Sequence, residues 1–375
     1  MQPRILVTSA GTGASNNVIR SLKDGAPSLF VVGVHEDRFV LQNSSADRRY
    51  LVSPSSGPDF PASLRRVVEL ERIDLVMPLT DVDVAVTSRL RRRLGCRVFL
   101  PRPATIERCR DKGKLTAFLR RRRVPAPLTY RVTNLRRIER LFHRLPRPHQ
   151  VWCRIGTGSG SLGATLVTSP EQARLWIRCW EEFRGIPPTA FTLSEYLPGR
   201  DFGCQSLWRN GRLVLIKTCE RLSYLGLGNQ PGQVSSTAAL MKTVNEPRIV
   251  AVCVKAVRTL DPRATGAFCI DLKQDSRGVA HVTEINAGRL SSATNAFDLA
   301  GKHNMAHTYV ALGLGEPTGL RDVYDATEDW YMLRDLDSVP KVFHADACFD
   351  GIGEVPAPEG IGSATPRGGT RCTSL

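Results

Sequence analysis

The sequence predicts an α/β protein in which an N-terminal domain built on a parallel sheet precedes a mixed α+β region. Three observations carry that expectation. Apolar runs alternate with amphipathic segments up to about residue 105. Beyond about residue 106 that alternation gives way to hairpin-like strand pairs. The 375 residues also exceed one average domain and leave ample length for a hydrophobic core.

In chain order, Ile5-Leu6-Val7 reads as a first strand, Thr8 to Ala14 as a glycine turn, and Val18 to Lys23 as an amphipathic helix. Leu29 to Val34 is a second apolar run, ending at His35-Glu36-Asp37. Ile73 to Leu79 is another, ending at Thr80-Asp81, and Val98-Phe99-Leu100-Pro101 closes the unit. Buried strands joined by helices imply a parallel sheet covered on both faces. Asp111-Lys112-Gly113-Lys114 opens a helix expected to run to Arg123, where Val124-Pro125-Ala126-Pro127 ends it. Asn210-Gly211, between Trp208-Arg209 and Arg212-Leu213, is a hairpin turn. A second turn, Asp275 to Gly278, separates Cys269-Ile270-Asp271-Leu272 from His281-Val282-Thr283-Glu284. Gly, Pro, Ser and Thr dominate from Gly351 to Leu375, which predicts a flexible tail.

Composition narrows the function classes. With 42% hydrophobic and 23% charged residues the chain resembles an ordinary enzyme, and no apolar stretch reaches the roughly 18 residues that span a bilayer. The start, Met1-Gln2-Pro3-Arg4, precedes an apolar run too short for a signal segment, so a cytoplasmic location and no membrane partner are expected. Ten cysteines are scattered without a Cys-x-x-Cys pair, as small buried hydrophobes would be. The net charge of +16 comes largely from runs such as Arg89 to Arg93 and Arg120 to Arg123. No recognition module or aromatic-basic interleaving accompanies them, so solvated helix faces are expected and nucleic acid is not an expected partner.

Three constellations carry chemistry. The first runs from Arg154 through Gly156, Gly158, Gly160, Ser161 and Gly163. Such a loop between strands can fold over a polyphosphate and offer backbone N–H donors, and Arg154 can neutralise phosphate charge. A plain glycine-rich hairpin would look the same, and no Gly-Lys-Ser/Thr ends it as in a Walker loop. The second sets Asp271 on one strand and Glu284-Ile285-Asn286 on the next. Strand alternation puts Glu284 and Asn286 on one face, with Asp271 beside them across a hairpin. Two carboxylates and an amide oxygen suit Mg²⁺ among nucleotide phosphates, and Arg289 can clamp an anionic oxygen, although a solvated hairpin with charged edges would carry the same residues. The third, Ser194 to Asp201, places Glu195, Leu197 and Asp201 where a base and ribose can be cradled. Gly11-Thr12-Gly13 alone would support a dinucleotide site, but Asn17 stands where that fingerprint has its third glycine.

In their order along residues 4 to 315, these motifs resemble the ATP-grasp superfamily, in particular the branch similar to the large chain of carbamoyl-phosphate synthase. The matching residues are Asp111-Lys112, then Arg154 with Gly158, Gly160, Ser161 and Gly163, then Glu195-Tyr196-Leu197 with Gly199 and Asp201, then Glu284-Ile285-Asn286. Glu220-Arg221-Leu222-Ser223-Tyr224 adds a further stretch. The resemblance implies a Rossmann-like parallel sheet domain (1–105) followed by a two-lobed α+β ATP-grasp domain (106–315, split near 195). A C-terminal segment (316–350) would pack on the core, ahead of the tail (351–375).

The resemblance also implies roles. Lys112 and Arg154 would meet ATP phosphates under the loop from Gly158 to Gly163. Glu195 and the Leu197 backbone would meet adenine, and Asp201 the ribose. Asp271, Glu284 and Asn286 would hold Mg²⁺ or Mn²⁺. Lys217, Arg221 and Arg289 would serve the acyl-phosphate and substrate region. The implied activity is ligation of a small-molecule carboxylate to an amine or related nucleophile, releasing ADP and phosphate, with no covalent nucleophile from the protein. A homo-oligomer is compatible with the sequence. Three departures stand out: Arg154 replaces a lysine, Asp201 a glutamate, and Ala287-Gly288 adds a residue before Arg289. They leave open a non-catalytic nucleotide-binding relative, while Gly11-Thr12-Gly13 leaves open an NAD(P)-dependent oxidoreductase and the arginine runs a basic nucleic-acid-binding protein.

Overall fold

The computed structural model describes residues 2–158, 160–226, 234–335, 339 and 341–347. The expected tail at 351–375 lies outside the described residues. The N-terminal elements are β1 (Arg4–Val7), α1 (Gly13–Gly25), β2 (Phe30–His35), α2 (Arg38–Gln42), β3 (Arg48–Leu51), α3 (Phe60–Glu71), β4 (Leu75–Met77), α4 (Asp81–Leu90) and β5 (Arg97–Val98). All five strands pair in parallel, in the order β3-β2-β1-β4-β5. Alternate residues of β1 feed opposite cores: Leu6 packs with Phe60, Leu64 and Val67 of α3, whereas Ile5 and Val7 pack with Val18, Ile19 and Leu22 of α1. Strand β3 has no apolar run to announce it; Arg48-Arg49-Tyr50-Leu51 is an exposed sheet edge.

The chain continues through α5 (Pro103–Arg110), α6 (Lys112–Arg121), β6 (Thr129–Arg131), α7 (Ile138–His143), β7 (Val151–Ile155), β8 (Thr165–Val167), α8 (Pro170–Arg184) and β9 (Phe191–Glu195). Strands β6-β9-β7-β8 form an antiparallel sheet with a core of its own, closed by Ile138, Leu141 and Phe142 of α7 and Ala173 and Ile177 of α8. Helix α6 begins as the sequence predicts, because the Asp111 carboxylate accepts the Lys114 N–H at 3.0 Å and caps the first turn.

The remaining elements are β10 (Asp201–Arg209), β11 (Arg212–Tyr224), β12 (Ala238–Thr243), α9 (Pro247–Leu260), β13 (Gly266–Gln274), β14 (Ala280–Ala287), α10 (Thr294–Ala300), α11 (Met305–Leu314), β15 (Trp330–Leu333) and β16 (Lys341–His344). They build a seven-stranded antiparallel sheet in the order β14-β13-β10-β11-β12-β15-β16. The expected C-terminal packing segment thus adds two strands to this sheet. One sheet face, with Phe202, Trp208, Phe268 and Ile270, lies under α5, α6 and α9. The other face changes character along its strands. Leu207, Leu215 and Ala267 share a core with α1, α11 and the parallel sheet. Farther along, the same face turns polar at Gln205, Asp271 and Asp201. No described helix is long and apolar enough to cross a membrane.

The β10–β11 turn has φ of 51° at Asn210 and 83° at Gly211, the positive pair of a type I′ hairpin. A Cβ on Gly211 would stand 2.2 Å from the Pro262 carbonyl oxygen. Gly211→Ala should therefore cost about 1–3 kcal/mol of stability, read as a lower urea midpoint at unchanged slope.

Candidate active site

The three sheets meet around one cavity of about 940 Å³, within the range that holds nucleotide-sized ligands. It is lined by every site residue expected from the sequence except Gly163 and Lys217. The carboxylates arrive through register. Pairing of β13 with β14 sets Asp271 opposite Glu284 and Cys269 opposite Asn286. The register slips after Asp271, so Leu272 pairs with Val282 and Thr283 is left over as a bulge. This bulge lets Val282 stay in the core while Glu284, two residues on, faces the cavity.

Cations meet these carboxylates. Lys112 Nζ lies 3.2 Å from Glu284 Oε1 and donates to the Gly158 carbonyl at 2.5 Å. Arg154 Nη1 stands 3.9 Å from Glu284 Oε2, and its Nη2 donates to the Thr283 carbonyl at 2.9 Å. Burial pushes the Glu284 carboxyl above its usual range and neighbouring Asp271 adds to the rise, against the pull of Lys112 and Arg154. Burial likewise lowers Arg154, opposed by Glu284 and Asp271. Arg154 Nε is buried with no hydrogen-bond partner among the described residues, a donor suited to a ligand oxygen.

Arg221 bridges two strands, pairing with Asp271 and, at 3.0 Å, with Asp201 Oδ1. Burial works to lower its pKa, but these two carboxylates hold it well above the ordinary value. Tyr224 donates to Asp201 Oδ2 at 2.6 Å, and Lys273 lies 3.7 Å from the same oxygen. Glu195 accepts the Leu128 N–H at 3.1 Å, so its carboxylate fixes the strand connection, while Leu197 lies buried on the cavity wall. Despite the extra residue before it, Arg289 reaches the cavity, where its Nε donates to Asp81 Oδ1 at 2.7 Å. Asp81 begins α4, so the parallel sheet supplies part of the wall.

Two expectations are corrected. Lys217 is on the right strand face but does not reach the cavity; α10 and its flanks cover it. Its ammonium is buried 3.1 Å from Asp325 and 3.5 Å from Asp298, and donates to the Phe297 and His303 carbonyls. It neutralises carboxylates of distant sequence position that no local pattern reveals. Gly163 does not itself line the cavity, although Leu162 and Ala164 on either side of it do; at φ 62° its carbonyl accepts the Trp176 indole N–H at 2.9 Å. Burial raises Asp298 from 3.8 to about 6, against the pull of Lys217. The folded state then holds a proton that the unfolded chain releases, so this group's contribution makes stability fall as pH rises from about 4 to about 6. Asp298→Asn should flatten that slope, as urea unfolding at stepped pH would measure.

Several lining residues escaped the sequence analysis. Trp152 stands two residues before Arg154 on β7, and Lys273 two after Asp271 on β13; period-two alternation would have found both. The Trp152 and Tyr196 rings lie 6.5 Å apart beside Leu197 and form an aromatic wall. Cys269 also lines the cavity, but burial raises its thiol to about 12, which removes it as a thiolate nucleophile. Gly11 is explained by packing, since a Cβ there would lie 1.9 Å from the Val40 carbonyl oxygen. The cysteines among the described residues are free.

No protein-family model matches the sequence, and no curated protein matches it. Solved structures do. The L-amino acid ligase from Bacillus licheniformis superposes with a TM-score of 0.68 at 14% identity, over 88% of this chain and 79% of that one. A biotin carboxylase–β,γ-ATP complex from Campylobacter jejuni gives 0.68 at 12%, over 88% and 75%. The N5-carboxyaminoimidazole synthase from Aspergillus clavatus, in complex with ADP and 5-aminoimidazole ribonucleotide, gives 0.66 at 13%, over 88% and 82%. The chain has the ATP-grasp fold expected from its motifs. At these identities the likeness fixes the fold and not the chemistry.

Proposed function

We propose that this protein is an ATP-dependent ligase that joins a small-molecule carboxylate to an amine or related nucleophile through an acyl phosphate. One observation carries the proposal: Asp271, Glu284 and Asn286 line one cavity together with Lys112 and Arg154, which lie 3.2 and 3.9 Å from the Glu284 carboxylate, and the glycine loop borders it. That arrangement offers hard oxygen ligands opposite cations, as a polyphosphate with a divalent metal requires. The repulsion between Asp271 and Glu284 fits a divalent cation between them. No group of three or more His, Cys, Asp or Glu side chains suited to a metal occurs among the described residues, so Asn286 and phosphate oxygens would complete the shell. The nucleotides bound in the structural neighbours support the same co-substrate.

When bound, Mg²⁺ or Mn²⁺ would be held by Asp271, Glu284 and Asn286 and would supply charge neutralisation to the phosphates. Lys112 and Arg154 hold the phosphates under Gly158, Gly160 and Ser161. The wall of Trp152, Tyr196 and Leu197 receives the base, and Asp201, set by Tyr224 and Arg221, takes a ribose hydroxyl. A substrate carboxylate oxygen attacks the γ-phosphorus and the bond to ADP breaks. The amine then attacks the acyl carbon, phosphate leaves and the ammonium loses its proton. Arg289, fixed by Asp81, and Arg221 orient the acyl-phosphate region; the chain supplies positioning and charge, with no covalent intermediate.

We also propose the division 1–105, 106–315 with a split near 195, and 316–350, together with a cytoplasmic setting. The test is calorimetric titration of Mg·ATP, followed by phosphate and ADP release over pairs of carboxylates and amines. Binding of Mg·ATP followed by pair-dependent release is expected; absence of Mg·ATP binding ends the proposal. Lys112→Met should weaken ATP by about ten-fold or more, since a charge-assisted phosphate contact is lost, with the change read in the same titration.

A further inference from the structure

Where the parallel sheet supplies the cavity wall, one ion pair has binding capacity to spare. Asp81 is the first residue of α4, Arg289 follows the end of β14 by two residues, and both line the cavity. Their side chains are largely buried, 23% and 19% exposed, and meet through one hydrogen bond, from Arg289 Nε to Asp81 Oδ1 at 2.7 Å. Among the described residues, neither Nη of Arg289 nor Oδ2 of Asp81 makes a further hydrogen bond. Unused donors therefore stand beside an unused acceptor. We infer that Asp81 and Arg289 together recognise a zwitterion, so that the carboxylate substrate is an α-amino acid, its carboxylate held by Arg289 and its ammonium by Asp81. The inference rests on the ligase proposal and adds the substrate class to it.

The pair is neutral as a whole, and that selects the ligand. A simple carboxylate would answer Arg289 but meet the Asp81 charge with nothing to offset it, and an amine alone would do the reverse. In an α-amino acid both charges sit on one carbon, close enough to serve two side chains already joined at 2.7 Å, so charge-assisted contacts of both kinds form at once. Position agrees with the reaction. Burial works to lower the Arg289 guanidinium, yet Asp81 carries it above its ordinary value and Glu284 adds to the rise. A carboxylate on Arg289 is thus near the residues assigned to Mg²⁺ and the γ-phosphate. Asp81 also borders a side pocket of about 100 Å³ shared with Lys112, Glu284 and Asn286, which ties it to the same centre. The substrate carboxylate oxygen takes the γ-phosphoryl group and ADP leaves. The ammonium, hydrogen-bonded to Asp81, keeps its proton and so has no lone pair with which to attack. The amino acid is thereby the acyl donor, and a separate nucleophile displaces phosphate.

The protein is saturated with Mg²⁺ and β,γ-methylene-ATP, and then titrated calorimetrically with each proteinogenic amino acid and, for those that bind, with the acid that lacks only the amino group. The wild type is expected to bind at least one amino acid, and its des-amino counterpart about ten-fold or more weakly. Asp81→Asn keeps an oxygen for Arg289 Nε but loses the charge. It should weaken the amino acid by about ten-fold or more and leave the des-amino acid bound as before. Arg289→Lys, which loses the fork, should weaken both. No amino acid binding to the loaded wild type, or equal affinity for an amino acid and its des-amino counterpart, overturns the inference; this comparison needs no variant to fold. Equal loss of both probes in Asp81→Asn also overturns it, since Asp81 would then act only by positioning Arg289. Failure of the analogue to bind the wild type instead overturns the nucleotide assignment. The amino-acid titration without nucleotide then decides the pair alone, by the same comparisons.

Discussion

Glu284→Gln is expected to lower ADP formation by about two to three orders of magnitude and to remove the Mg²⁺ dependence of nucleotide affinity. Glu284 stands where the cavity's acidic and basic halves meet, opposite Asp271 and beside Lys112 and Arg154. The amide keeps the shape and one oxygen but forfeits the charge that a divalent ion requires. Since burial already disfavours the ionised carboxyl in the free protein, its replacement should leave the fold nearly as stable. Loss of turnover with an unchanged urea midpoint would separate a metal ligand from a structural acid. Activity within a few-fold of wild type would remove Glu284 from the metal site.

Lys217→Met should produce the largest loss of stability, roughly 3–5 kcal/mol, because it strands buried carboxylates without their cation. Asp298 and Asp325 have side chains 2% and 0% exposed, so water cannot replace the ammonium. Urea unfolding at pH 7 measures the loss. The deficit should shrink as pH is lowered toward 5: with its cation gone, Asp298 takes up a proton more readily in the folded than in the unfolded state, which favours folding at the lower pH. Replacing Lys217 and Asp325 together, as Lys217→Met with Asp325→Asn, should cost less than the sum of the single changes, the sign of direct coupling. Additive losses would instead show that the lysine acts through its backbone-carbonyl contacts alone.

Much of the fold was legible because its signals are local. The parallel sheet shows in the apolar runs at Ile5, Leu29 and Ile73, and the main hairpins show in Asn210-Gly211 and in Asp275 to Gly278. The Asp271, Glu284 and Asn286 face followed from strand alternation, although the bulge at Thr283 that makes it compatible with a buried Val282 leaves no mark in the residue pattern. Lys217 was misjudged for the converse reason. It shares a face with Arg221 on β11, but what covers that face comes from residues 297–325, which only tertiary packing places there. Strand β3 was missed because an edge strand exposed to solvent needs no apolar residues.

The core that runs without a break from α1 and the parallel sheet into Leu207, Leu215 and α11 sets the molecule's cooperativity. Those two sheets must melt together, since neither can expose its side of that core alone. The four-stranded sheet, with its private core under α7 and α8, is free to open as a separate foldon at lower cost. Native-state amide exchange should accordingly sort the chain into a slow unit and a faster one. A single melting temperature would then describe only the larger unit, while the glycine loop rides on the smaller one, where local opening costs least.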